Sequence, residues 1–204
     1  MTPHFLILAG GEGNRLGGVR KAALRLDGVT LLERVAARLR VDKETVLVST
    51  GPSPAYPISF GIALPDLDNR LGGPLAGIVA AVHHLRARAE ADARLVTVAV
   101  DTPFLPEDYI SRLLAELDSG VPAAYAAWDG NAYPTNAAWR LDALQDLPEQ
   151  VANGVAPNSP KTLLAQLGGV AVDWSGTQAS DPFTNLNTLA DLVDLARRAR
   201  VSSN

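Results

Sequence analysis

The 204-residue chain contains no cysteine, which excludes disulfides and thiolate-held metals. Histidine is scarce: His4, His83 and His84 are too few and too poorly spaced for a zinc site. The adjacent His83 and His84 read instead as an exposed or half-buried helix face. No apolar run reaches the length of a membrane-spanning helix. The first residues lack the charged region and long apolar core of a secretory signal, so none is expected. Basic residues are in the minority, 18 against 22 acidic ones, for a net charge of −4. That balance gives no support for a general nucleic-acid surface. What the chain does have is apolar content, 47 % of its residues, enough for one sizeable core. The expectation is a single cytoplasmic domain spanning residues 1–204, with neither nucleic acid nor membrane as partner.

Strand and helix signals alternate. Phe5–Ala9, Thr45–Ser49, Leu95–Val100, Ala123–Ala127, Ala132–Trp139 and Val170–Trp174 read as strands, and Ile58–Ala63 as another beyond a proline-rich loop. Thr30-Leu31-Leu32-Glu33 is a capping box opening a helix to about Leu39. Pro74 to about Arg88, Pro106 to about Leu117, Ser159-Pro160 to Leu167, and Thr188 to about Arg200 complete the helices. This order implies an α/β fold with a mainly parallel sheet between two helical layers, α/β/α. Ser202-Ser203-Asn204 reads as a frayed tail.

The densest signal is Leu6–Lys21, LILAGGEGNRLGGVRK. A buried parallel strand runs into Gly10, Gly11, Gly13, Gly17 and Gly18. Glycines let backbone approach a ligand closely, and successive N–H groups in such a turn form an anion-binding concavity. Arg15 and Lys21 bracket the loop with positive charge, so the whole looks like a cradle for a nucleoside triphosphate. It is neither of two commoner glycine loops. Lys21 follows Arg20 and precedes Ala22, which breaks the P-loop pattern; Leu16 stands where a dinucleotide fingerprint needs glycine.

The motif LAGG-x-G-x-R-L-G-G-x-x-K resembles the signature of nucleotidyltransferases with a Rossmann-like, GT-A-like fold, and within them it is most similar to the molybdenum cofactor guanylyltransferases. Leu8-Ala9-Gly10-Gly11 favours this branch over the cytidylyltransferases, which read LAAG there. The resemblance implies transfer of GMP from GTP to molybdopterin with Mg²⁺ as cofactor. It implies nucleotide contacts at Leu8, Ala9, Gly10, Gly11, Gly13, Gly17, Gly18 and Lys21. It also suggests cofactor-delivery or molybdoenzyme partners.

Three further segments match. In Asp68-Asn69-Arg70-Leu71-Gly72-Gly73-Pro74-Leu75-Ala76-Gly77, a helix opens on a glycine pair, and its N-terminal N–H groups suit a base edge or phosphate. The resemblance implies that Asp68, Gly72, Gly73 and Gly77 shape a base pocket; read alone, Gly77 equally allows tight packing. Asp101 directly follows a buried strand, at the sheet edge where α/β ligands bind, and a hard cation takes such a carboxylate. The resemblance makes Asp101 the magnesium ligand. Asn185 and Asn187 of Phe183-Thr184-Asn185-Leu186-Asn187-Thr188 would project to one side of an extended backbone. They are open to two readings, turn formers or ligands of metal, phosphate or pterin. In the family reading Asn187 joins Asp101 on the metal, Asn185 and Asn187 face the acceptor, and Arg15, Lys21 and Asp101 are catalytic.

Two positions depart from the family pattern. Arg20 replaces an acidic residue and is expected to face solvent. Tyr133-Pro134 replaces a His-Pro pair, which makes Tyr133 an acceptor-side candidate. Trp128, Trp139 and Trp174 read as core residues, with stacking on a pterin as the alternative. Competing functions are a molybdopterin cytidylyltransferase or sugar-phosphate nucleotidyltransferase, a catalytically silent GTP-binding accessory protein, and a dinucleotide-dependent oxidoreductase, the last disfavoured by Leu16.

Overall fold

The N-terminal apolar run has no polar face because neither of its faces meets water. In the computed structural model, which describes residues 3–10, 12–13, 19–52, 58–67, 71–86, 92–186 and 191, this run is β1 (His4–Leu8). Phe5, Ile7 and Ala9 enter one core and Leu6 and Leu8 another. A short ladder of β2 (Glu12–Gly13) and β3 (Val19–Arg20) follows. Next comes a hairpin of β4 (Arg25–Leu26) and β5 (Val29–Thr30). Asp27 and Gly28 close it at φ 51° and 78°, the paired left-handed residues that match strand twist.

The capping box forms as expected at α1 (Leu31–Leu39): Glu33 N donates to Thr30 Oγ1 at 3.1 Å, and Thr30 N donates to Glu33 Oε2 at 2.9 Å. The Thr30 hydroxyl, donating to Glu33 Oε2 at 2.7 Å, and then Thr30 N hold the Glu33 carboxyl below its ordinary pKa. β6 (Leu47–Gly51) and β7 (Ile62–Pro65) precede α2 (Pro74–Arg86). β8 (Arg94–Ala99), α3 (Tyr109–Asp118), β9 (Ala123–Trp128), β10 (Asn131–Arg140), α4 (Leu147–Ala152), α5 (Pro160–Leu167) and β11 (Val170–Asp173) complete the series. Ser159 caps α5, accepting from Thr162 N at 3.2 Å, with Pro160 at its first turn.

The central sheet has seven strands in the order β11-β9-β10-β8-β1-β6-β7. All its pairs are parallel except those of β10, which is antiparallel to both β8 and β9. Asp129-Gly130, at φ 48° and 77°, makes β9–β10 a hairpin. Simple strand–helix alternation does not foresee this insertion. α1 and α3 cover one face with Val35, Leu39, Tyr109 and Leu113. α2, α4 and α5 cover the other with Ile78, Val82, Leu147 and Leu163. No helix among the described residues is long and apolar enough to cross a membrane.

Some expected boundaries move. The seventh strand is Ile62–Pro65 rather than 58–63, because it begins where Ile62 N reaches Val46 O at 2.9 Å. α3 starts at Tyr109, since Pro106 O accepts from Tyr109 N at 3.1 Å in a turn of its own. His83 is exposed and His84 half-buried. Trp139 and Trp174 are fully buried, their indole N–H groups bonded to Thr97 Oγ1 at 3.1 Å and Asp108 Oδ1 at 2.8 Å, which makes them core residues. The expected start of the last helix lies outside the described residues.

Candidate active site

Parallel strands share one direction, so β1, β6, β7 and β8 end at one edge of the sheet, the edge where open α/β sheets bind ligands. A cavity of about 610 Å³ lies there. Leu8 and Gly10 wall it from β1, Ser49 and Gly51 from β6, Asp66 from the residue after β7, and Asp101 from the turn after β8. Gly72, Gly73 and Pro74 bring in the start of α2, while Thr135 and Asn185 close the far side.

The glycines differ in why they are glycine. A Cβ on Gly10 would stand 2.6 Å from Gly51 N and 2.7 Å from Gly51 Cα, so the loop after β1 touches the backbone at the end of β6. Among the described residues nothing lies within 4 Å of a Cβ added to Gly72 or Gly73, and Gly73 sits at φ 71°, which a side chain strains. Gly77 is different again. It is buried and outside the cavity wall, and a Cβ there would meet Ser49 Oγ at 2.4 Å. It seats α2 against two residues that do form the wall, Ser49 and Leu8. Ala9 is likewise fully buried and faces the α1 side of the sheet.

Lys21 Nζ meets Asp101 Oδ2 at 2.7 Å across 80 residues of sequence, with side-chain exposures of only 17 % and 13 %. The end of β8 that presents Asp101 is held from the side. Asn136, fully buried, accepts from Ala99 N at 2.9 Å and from Thr102 Oγ1 at 3.3 Å. The ladder between β9 and β10 shifts register between Tyr133 and Ala137, and this bulge leaves Asn136 beside β8 and Thr135 at the cavity. Arg20 does not run to solvent. Its Nη1 donates to Thr50 O at 3.2 Å, because β3 lies close enough to β6 for the guanidinium to satisfy that carbonyl.

The segment after β11 returns to this edge. Leu186 N donates to Asp101 O at 3.3 Å, and Phe183 and Leu186 are fully buried on either side of Asn185. Asn185 Oδ1 is buried without a hydrogen-bond partner among the described residues. A buried amide oxygen without a donor is costly, and it asks for a cation or a hydrogen donor. Together with Asp101 it fits a magnesium site of the kind that takes one or two protein oxygens and fills the rest with phosphate oxygens and water. A cage built of protein groups alone is not present: the described residues contain no cluster of three or more His, Cys, Asp or Glu. Tyr133 lies off the cavity wall. Its hydroxyl donates to Asp181 Oδ2 and its ring packs on Phe183 at 5.2 Å between centroids. Burial, and then the Asp181 carboxylate, push the Tyr133 pKa up, so the phenol stays a donor.

Asp66 is half-buried at the α2 side of the cavity, its carboxylate without a partner among the described residues. Desolvation raises its pKa. This wall therefore offers a hydrogen-bond acceptor at one end and a cation–carboxylate pair at the other.

Residues 5–170 match the model of the MobA-like NTP transferase domain. Over 196 residues the chain is 38 % identical to a molybdenum cofactor guanylyltransferase of Acidiphilium cryptum, covering 96 % of this chain and 94 % of that one. It belongs to the molybdenum cofactor guanylyltransferase family. A second relative, from Rhodobacter capsulatus, is 38 % identical over 199 residues, covering 96 % and 95 %. Among solved structures, molybdopterin-guanine dinucleotide biosynthesis protein A of Archaeoglobus fulgidus superposes with a TM-score of 0.72 at 23 % identity, covering 97 % and 98 %. A 2-C-methyl-D-erythritol 4-phosphate cytidylyltransferase of Francisella tularensis gives 0.70 at 15 % identity, covering 95 % and 98 %. These superpositions bear on the fold, that of the nucleotidyltransferases.

For this guanylyltransferase-family chain, the cavity brings together Leu8, Gly10, Lys21, Gly72, Gly73, Asp101 and Asn185 of the residues expected from sequence. Gly13 is paired with Val19 in the β2–β3 ladder. Gly11, Arg15, Gly17, Gly18, Asp68 and Asn187 lie outside the described residues. Ser49, Gly51 and Asp66 are not among the expected residues, and Thr135 falls in the segment 129–139 in which acceptor contacts are expected. Asp66 sits two residues before Asp68; with a strand expected at 58–63 it did not stand at a strand end, as it does directly after Pro65.

Proposed function

We propose that the protein transfers GMP from GTP to the terminal phosphate of molybdopterin, releasing pyrophosphate. The observation that carries this reading is the convergence on one cavity, in a chain of this family, of Lys21, Asp101 and Asn185, whose side-chain oxygen has no partner among the described residues. An oxygen of the molybdopterin phosphate attacks the α-phosphorus of GTP. The bond from that phosphorus to the bridging oxygen breaks, and pyrophosphate leaves with the electron pair. A phosphate monoester is largely dianionic near neutral pH, so the nucleophile needs no general base. What the site must supply is alignment and charge neutralisation.

In this reading Lys21 and Arg15 balance charge on the transferring and leaving phosphates. The glycines between Gly10 and Gly18 cradle the triphosphate. The backbone at Gly72 and Gly73, at the N-terminus of α2, faces the nucleotide. Asp66 accepts from guanine N1–H and the 2-amino group, a donor pair that adenine and cytosine do not present. Asp101 and Asn185 would hold Mg²⁺, with Asn187 as a further donor. When bound, the ion neutralises phosphate charge and polarises the α-phosphoryl group. Such a reaction on soluble substrates fits the cytoplasm.

The test is pyrophosphate release with Mg²⁺ and molybdopterin, comparing GTP, CTP and ATP. Release is expected with GTP alone and is lost in Asp101→Ala. Equal release with CTP would overturn the nucleotide assignment. Tight GTP binding without release would make the protein an accessory rather than an enzyme.

A further inference from the structure

Tyr133 stands where the family pattern has histidine, and sequence alone makes it a contact for the acceptor. Its surroundings assign it another task. The hydroxyl is engaged with Asp181 Oδ2, and the other oxygen of that carboxylate, Oδ1, accepts from Phe183 N at 2.8 Å. The backbone carbonyl of Asp181 accepts from Thr184 Oγ1 at 3.2 Å. One acid thus folds residues 181–184 into a turn, and Tyr133 fixes that acid to β10. The Phe183 ring is buried among Tyr133, Trp174 and Tyr109, with centroid separations of 5.2, 5.2 and 6.2 Å. Three residues on from Phe183, Leu186 N is tied to Asp101 O. Asn185 lies between these anchors, its side-chain oxygen buried without a partner among the described residues.

We infer that Tyr133 is a positioning residue: through Asp181 it sets the turn that aims Asn185 Oδ1 at the site of Asp101. The inference rests on the reading that Asn185 is a metal donor, and it goes beyond that reading by explaining what holds the donor. An extended loop has many ways to point a short amide side chain. Two buried anchors and one hydrogen-bonded acid remove most of them before any ligand arrives. Groups that orient metal ligands commonly change metal affinity by 10–100-fold when removed.

The experiment measures Mn²⁺ affinity of the GTP-loaded protein from the free-ion electron paramagnetic resonance signal. Four proteins are compared: wild type, Tyr133→Phe, Asn185→Ala and the double variant. Tyr133→Phe keeps the ring against Phe183 and removes only the hydroxyl. Tyr133→Phe is expected to weaken Mn²⁺ about tenfold. GTP affinity without metal is expected to stay unchanged, and the substitution should add nothing in the Asn185→Ala background. A purely structural role would weaken both backgrounds alike, and that result overturns the inference. So does wild-type Mn²⁺ affinity in Tyr133→Phe with a raised KM for molybdopterin, which would return Tyr133 to the acceptor. Wild-type affinity in Asn185→Ala would instead remove the donor reading, and the inference with it.

Discussion

Gly77→Ala and Gly72→Ala make a pair whose outcomes should separate packing from binding. Gly77 lies under α2, where an added Cβ would come within 2.4 Å of Ser49 Oγ, 2.7 Å of Ser49 Cβ and 2.9 Å of Leu8 Cδ2. The Ser49 hydroxyl and the Leu8 methyl can rotate aside. Ser49 Cβ cannot, because it is fixed to the backbone of β6, so α2 must lift off the sheet. Overpacking of this kind costs about 1–3 kcal/mol. Replacing glycine by alanine in a helix returns up to about 1 kcal/mol. A net loss of about 1–2 kcal/mol is expected, a drop in Tm of roughly 2–8 °C for a chain of this size. Among the described residues nothing lies within 4 Å of a Cβ added to Gly72, so Gly72→Ala should stay within about 0.5 kcal/mol of wild type. Both should bind GTP more weakly, Gly72→Ala by crowding the cavity mouth and Gly77→Ala by displacing Ser49 and Leu8. Urea unfolding and nucleotide titration of the two variants measure this. A Gly77→Ala protein as stable as wild type would refute the close contact between helix and sheet.

Lys21→Ala should lower the rate of pyrophosphate release by roughly 10²–10³, the usual loss when one preorganised charge partner is removed from a transition state. It should also leave Asp101 unpaired, which steady-state kinetics and a melting curve would separate. Asp66→Asn should give a pH-dependent stability change. The folded-state pKa of Asp66 is raised from 3.8, so its contribution is fully present below the unfolded value and is lost as pH rises through the folded one. The variant should therefore be more stable than wild type at pH 7 and not at pH 3, while losing discrimination between GTP and ATP. Unfolding across pH and competition binding measure the two halves. Asn136→Ala strips a buried acceptor from Ala99 N–H and should cost about 1–3 kcal/mol in denaturant unfolding. It should also lower kcat more than it raises the KM for GTP, because it loosens the end of β8 that carries Asp101.

Features governed by neighbours in sequence were legible before the structure. The capping box at Thr30 and Glu33 depends on a spacing of three residues, and α5 on Ser159-Pro160. β1 and β8 are apolar on both faces, which marks central parallel strands. Lys21 and Asp101 were separately visible as chemistry, though nothing in a linear chain says that they meet. Features governed by distant partners were not legible. Gly77 reads equally as pocket or packing residue, and only the proximity of Ser49 decides for packing. Arg20 reads as a solvated cation until Thr50 O is placed beside it. The antiparallel β10 was a missed local signal: Asp129-Gly130 is a strong hairpin dipeptide, and the expected alternation of strand and helix hid it.

The contact between Gly10 and Gly51 bears on how β1 finds its place. Sheet register is normally policed by polarity, since a misplaced strand turns apolar side chains to water. β1 gives polarity little to act on. A slip of two residues keeps each side chain on its own face, and both faces are dry. Such a slip would carry Leu8 or Glu12 to the position of Gly10, where a Cβ would lie 2.6 Å from the backbone of Gly51. Steric exclusion at one point thus indexes the whole strand, and with it the height at which the glycine loop leaves the sheet.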